Sequence, residues 1–208
     1  MKARMSVVCF GLITLFGANI AHAQEAGRFY ASPVYIYLST DVKEGLGEII
    51  LGETIEFQAA GLRGGYEFAN GFAVEFEANQ GISNKDITGT LPIANTTADF
   101  SGTIDVSSLY GAFAVYSYPL TPDDKLRAFG RAGLMYGELE ASGDATGTVL
   151  GIPTTISGTY SEEESGPVIS LGLSYDLTNS VFIRTDVTYI GLDSFPTTAL
   201  GASFGVKF

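Results

Sequence analysis

The chain is poor in the residues that most protein chemistry relies on. Its 208 residues hold one cysteine, one histidine and no tryptophan, and 11 basic side chains stand against 23 acidic ones. The lone cysteine, Cys9, excludes an internal disulfide. The formal charge of −12 argues against nucleic acid or an anionic surface as the main partner. Long hydrophobic runs are missing too. Beyond Phe16 nothing approaches the ~20 consecutive apolar residues of a transmembrane helix. Yet 46% of the residues are hydrophobic, a high share for so acidic a chain. The apolar residues are plentiful but interleaved with polar ones.

The N-terminus reads as an export signal. Lys2 and Arg4 form a positive start, "VVCFGLITLF" (7–16) an apolar centre, and "AHA" (21–23) a small-x-small cleavage site before Gln24. A membrane anchor needs a longer run, and Cys9 lies too early in the apolar segment for a lipoprotein. The expected organisation is therefore a cleaved signal peptide, 1–23, and one domain, 24–208. Cleavage removes Cys9, His22, Lys2 and Arg4, leaving a charge of about −14.

What remains alternates with period two, so each segment has two chemically distinct faces. "GFAVEFEANQ" (71–80) sets Phe72, Val74, Phe76 and Ala78 against Glu75, Glu77 and Asn79. Residues 57–68 set Leu62, Tyr66 and Phe68 against Arg63 and Glu67. Residues 126–139 set Ala132, Leu134 and Tyr136 against Arg127 and Arg131. Residues 166–177 set Ile169, Leu171, Leu173 and Tyr175 against small and polar residues. Residues 181–191 set Ile183, Val187 and Tyr189 against Arg184 and Asp186. The segment 28–39 divides Val34, Ile36 and Leu38 from Tyr35 and Tyr37, and 103–118 is apolar on both faces, which leaves its orientation open. The eighth, "ALGASFGVKF" (199–208), ends on a bare Phe208.

The connections alternate as well. Asn70-Gly71, "PLTPDDK" (119–125) and "TNS" (178–180) are short, and Asn-Gly is a strong tight-turn signal. Residues 40–56, 81–102 and 140–165 are longer, followed by a short connection near 192–196. Short turns on one side, longer loops on the other and an even strand count fit a membrane barrel. Charges on the non-apolar face fit it too, because Arg or Lys facing lipid at the midplane costs roughly 2–4 kcal/mol. Eight strands enclose a lumen just wide enough for side chains to fill it.

In its export signal, eight amphipathic strands, loop alternation and terminal "SFGVKF", the chain resembles the eight-stranded outer-membrane β-barrels of the OmpA/OmpX type. The resemblance implies an all-β, antiparallel, up-and-down transmembrane barrel in the outer membrane of a Gram-negative-type bacterium, reached by Sec-type export. It implies lipid and lipopolysaccharide as surroundings, and Phe208 as part of the assembly signal read by the barrel-assembly machinery.

The barrel-interior charges Arg63, Glu67, Glu75, Glu77, Arg127, Arg131, Arg184 and Asp186 read as a packed ionic plug, with a narrow porin-like channel as the alternative. No catalytic site, metal site or cofactor is expected. Barrel enzymes resemble one another in using a histidine, and His22 leaves with the signal. The acidic loops, with "SEEES" (161–165) and Asp41, Glu44, Glu48 and Glu53, match no calcium motif and read as a solvated surface. "TGTLPIANTTADFSGT" (88–103) and "TGTVLGIPTTISGT" (146–159) both open on Thr-Gly-Thr and close on Ser-Gly-Thr, and read as hairpins carrying the wall beyond the membrane. An extracellular partner would engage loops 81–102 and 140–165. The expected function is a non-enzymatic structural or surface-interaction role.

Overall fold

The computed structural model describes residues 27–41, 54–93, 96–149 and 152–208. The proposed signal peptide and the acidic residues Glu44, Glu48 and Glu53 lie outside the described residues. Nine antiparallel strands follow one another: β1 (Arg28–Asp41), β2 (Thr54–Glu67), β3 (Phe72–Gly81), β4 (Asn84–Ile93), β5 (Thr96–Pro119), β6 (Leu126–Val149), β7 (Ile152–Asp176), β8 (Val181–Ile190) and β9 (Thr197–Lys207).

Eight of them close a ring. β1 pairs with both β2 and β9, and β3 pairs with the lower half of β5, so the order β1-β2-β3-β5-β6-β7-β8-β9 returns on itself. A closed ring leaves no edge in the bilayer, where an unpaired backbone group costs several kcal/mol. The ninth strand, β4, stands above β3 and pairs with the upper half of β5. It is the rising arm of the hairpin expected from residues 88–103. The tight turn between β2 and β3 rests on Gly71, whose φ of 82° is open to glycine at little cost.

The outward positions form an apolar wall. Leu62, Val74, Phe76, Leu134, Ile169, Leu171, Val187, Leu200 and Phe204 are all more than 40% exposed, as lipid-facing side chains must be. Aromatic rings border this wall. Phe68, Phe72, Tyr116, Tyr118 and Tyr175 lie at the turn end, and Tyr110, Tyr136 and Tyr189 at the loop end. From Tyr118 to Tyr110 is ~26 Å along the strand, which a barrel tilt of ~40° reduces to ~20 Å of height.

The orientation of β5, open in the sequence, is set by a β-bulge. Its register with β6 slips between Val106 and Ser108, so Ser107 is an extra residue. Above it Ile104 and Val106 point inward; below it Leu109, Phe113 and Val115 do. No single phase fits both halves, and below the bulge both faces are apolar because Tyr110, Ala112, Ala114 and Tyr116 face lipid while Leu109, Phe113 and Val115 fill the lumen.

β5, β6 and β7 run for 24, 24 and 25 residues, against 10 for β8. A membrane span needs roughly 9–11. The excess stands outside as a four-stranded sheet, β4-β5-β6-β7, continuing half of the barrel wall.

Candidate functional site

The lumen is filled in two tiers of opposite character. The lower tier is ionic. Arg63 on β2 donates from Nε to Glu77 at 2.9 Å and from Nη1 to Asp186 at 3.0 Å. Arg131 on β6 reaches Glu75 at 2.6 Å and Glu77 at 2.7 Å, and Arg184 on β8 reaches Glu75 at 2.7 Å. Three guanidinium groups thus meet three carboxylates, every one of them buried. Neutral neighbours complete the cluster: Tyr30 donates to Glu75 at 2.6 Å, Asn79 to Glu77 at 2.8 Å and Thr188 to Asp186 at 3.0 Å. The Arg131 and Arg184 guanidinium carbons lie 4.2 and 4.1 Å from the ring centres of Phe113 and Phe129. A guanidinium can satisfy a fork of carboxylates and stack on an aromatic face at once.

The other two expected interior charges stand lower in the lumen, outside the central cluster. Glu67 and Arg127 pair at 2.6 Å near the periplasmic mouth, where both are partly exposed. Lys207 joins them, 2.9 Å from Asp176 and 3.8 Å from Glu67. These residues border an open vestibule of about 740 Å³. Sequence reading missed Tyr30, Asp176 and Lys207 as members of these clusters. Asp176 and Lys207 carried a signal, since both sit on the polar phase of their strands. Tyr30 carried none, because β1 is apolar on both faces.

The upper tier is apolar, and no sequence pattern announced it. Val34, Ile36 and Leu38 of β1 meet Ile55, Phe57, Ile104, Val106, Leu139, Val168 and Ile190, all buried inside the ring. The short connection after β8 folds over them and buries Leu192 and Phe195, each under 5% exposed. It is tied down at both ends, by Gly191 N–H to Pro167 O at 2.8 Å and by Asp41 N–H to Pro196 O at 3.1 Å. In its middle Ser194 donates its N–H and its hydroxyl to Glu164 on β7. The void left among these side chains is about 10 Å³, near the lower limit for a single water.

Above the membrane the picture reverses, and the sheet is open. β8 stops at Ile190 opposite Val168, so among the described residues β7 from Thr155 to about Ser165 is in register with β6 alone. No second strand flanks it among the described residues, and Ile156 and Tyr160 on it are 61% and 49% exposed. Among the described residues no group of three or more His, Cys, Asp or Glu side chains has metal-binding geometry.

Phe208 lies on the outward wall at the periplasmic rim. Its backbone zips to Phe29 in both directions, at 2.9 and 3.1 Å, and the two rings stack.

The profile of the outer membrane protein beta-barrel domain family matches residues 8–208. The chain belongs to that family. It is thus an outer-membrane β-barrel protein of a Gram-negative-type bacterium. Among solved structures it is similar to Ail, the attachment invasion locus protein of Yersinia pestis, at 14% identity and a TM-score of 0.54, covering 88% of this chain and 99% of that one. It is similar also to neisserial surface protein A, at 20% identity and a TM-score of 0.51, covering 86% and 97%. Ail has a second structure in complex with the heparin analogue sucrose octasulfate, at the same identity and TM-score. No curated protein matches the chain in sequence.

Proposed function

We propose that this protein is a non-enzymatic surface-interaction barrel, sealed through its lumen, that offers the β7 side of its projecting sheet, at residues 155–165, to an extended segment of a partner. The single observation that supports this most is the contrast between a lumen closed twice and a projecting sheet left unclosed on the β7 side. A strand edge presents unpaired N–H and C=O groups at fixed spacing, and an added strand gains main-chain hydrogen bonds along its length. The outer half of this edge is rich in Thr and Ile and its lower end is acidic, through Glu162, Glu163 and Glu164. A partner strand with basic residues at one end fits that gradient.

Ail binds a polysulfated heparin analogue in its crystal structure. That chemistry does not carry over. Lys85 is the one cation among residues 82–107 and 138–165 of this sequence, so its projecting sheet repels sulfate. In the same reading residues 1–23 are the cleaved export signal, the six central charges are a structural plug, and Phe208 is read by the assembly machinery.

The test is electrical. Protein extracted from outer membranes and inserted in a planar bilayer is expected to stay silent, with folding checked by gel mobility with and without boiling. Discrete, reproducible current steps would instead make the channel reading correct and the central charges its filter. Removal of 152–160 is expected to leave the barrel folded and abolish partner capture.

A further inference from the structure

The repeated tripeptides of the projecting sheet become one object in the fold. Ser101-Gly102-Thr103 on β5, Ser142-Gly143-Asp144 on β6 and Ser157-Gly158-Thr159 on β7 lie side by side in antiparallel register. Gly102 is opposite Gly143, and Gly143 is opposite Gly158. Asp86 and Thr88 of β4 extend the array, opposite Thr103 and Ser101. The glycines share one face of the sheet. A Cβ on Gly102 or Gly143 would stand 2.9 Å from the ring of Phe100, which covers that face. Glycines aligned across neighbouring strands let a sheet bend sharply. On the opposite face the flanking side chains line a trough of about 730 Å³.

We infer that this trough binds the neutral sugars of the lipopolysaccharide that surrounds the barrel. Its chemistry selects the ligand class. Ser and Thr hydroxyls both donate and accept, and the Asp86 and Asp144 carboxylates accept, which complements the hydroxyls of a saccharide. Neither carboxylate has an ion-pair or hydrogen-bond partner among the described residues, and no cation lines the trough, so phosphate and sulfate are disfavoured.

Its position selects the source. Along β6, Leu134, Tyr136, Glu138, Glu140, Ser142 and Asp144 share one face by strict alternation, since the bulge lies on β5. The trough therefore faces the same way as the lipid wall. Ser142 is six residues past Tyr136, ~20 Å along the strand and ~15 Å above the aromatic border at a ~40° tilt. The space in front of it holds the saccharide layer of the outer leaflet. Glu138 and Glu140, lower on the same face, keep anionic sugars from the approach.

The test uses whole protein purified from outer membranes in detergent and three probes: core oligosaccharide of lipopolysaccharide freed of its acidic sugars and phosphates, lipid A, and maltohexaose. Saturation-transfer NMR should show transfer to the core oligosaccharide. Binding should weaken at least about tenfold in Asp144→Ala and in Ser142→Trp, which fills the trough from an exposed position. The gel-mobility shift should be unchanged in both. Equal binding of maltohexaose, displacement by lipid A, unchanged binding in both variants, or no transfer at all would each overturn the assignment.

Discussion

The barrel wall and the sheet above it are made from the same three long strands, yet they solve opposite problems. Within the membrane β5, β6 and β7 belong to a closed ring, and most inward side chains are packed or paired. Outside, the same strands continue as half a wall, with β4 on one flank and, among the described residues, no strand beyond β7 from Thr155 to about Ser165 on the other. Lipid imposes the first arrangement, because hydrocarbon supplies no partner to a bare backbone group. Water permits the second. In the proposed function, what is sealed holds the protein and what is left open meets a partner.

The largest effect is expected from breaking the lower tier. Glu75 is the carboxylate shared by Arg131, Arg184 and Tyr30. Glu75→Ala leaves buried guanidinium groups without their counter-charge and should cost about 3–5 kcal/mol, read as a lower urea midpoint in gel-mobility unfolding. Leu38→Ala, in the apolar tier, should cost about 2–4 kcal/mol by the same measurement, from lost burial and the cavity left behind. If Glu75→Ala cost less than Leu38→Ala, the ionic tier would be a filler and not the main lock of the lumen.

Two exposed apolar residues on one strand sharpen the comparison further. Leu171 is 74% exposed and Ile156 61%, so solvent accessibility alone treats them alike. Leu171 faces lipid near mid-membrane, and Leu171→Lys should cost about 2–4 kcal/mol. Ile156 stands beyond the membrane, and Ile156→Lys should change stability by no more than about 0.5 kcal/mol. Equal effects would mean that Ile156, on the inward phase of β7, is packed against a neighbour in the whole protein and not solvated.

These residues also mark what could be read from sequence. The lipid-facing phase of β2, β3, β6, β7 and β8 was legible, because within the membrane span the charges of each fall on one face only. The two hairpins were legible from their Thr-Gly-Thr openings and Ser-Gly-Thr closings. The upper apolar tier was not: Val34, Ile36 and Leu38 alternate with Tyr35 and Tyr37, and a strand apolar on both sides gives no sign of which side is in. Ser107 was hidden because a bulge shifts phase without changing composition. Leu192 and Phe195 were hidden because a six-residue connection is too short to show a period. In each case what was lost was a contact between distant strands, which local pattern does not encode.

The smallest effect is electrostatic and belongs to the open half. Asp105 lies just above the bulge, opposite Glu140 on β6 and close to Glu138. Partial burial, and then the Glu138 charge, push its carboxyl above the ordinary value of 3.8. The folded protein therefore holds this proton more tightly than the unfolded chain does. The stability Asp105 contributes is present while it is protonated and is lost as pH rises through its raised value. Asp105→Asn removes the charge and keeps the shape. The variant should match the parent near pH 3.5 and exceed it slightly in urea midpoint at pH 7. A difference of the same size at both pH values would show that the side chain acts through packing, and that the acidic residues of the projecting sheet lie too far apart to repel one another.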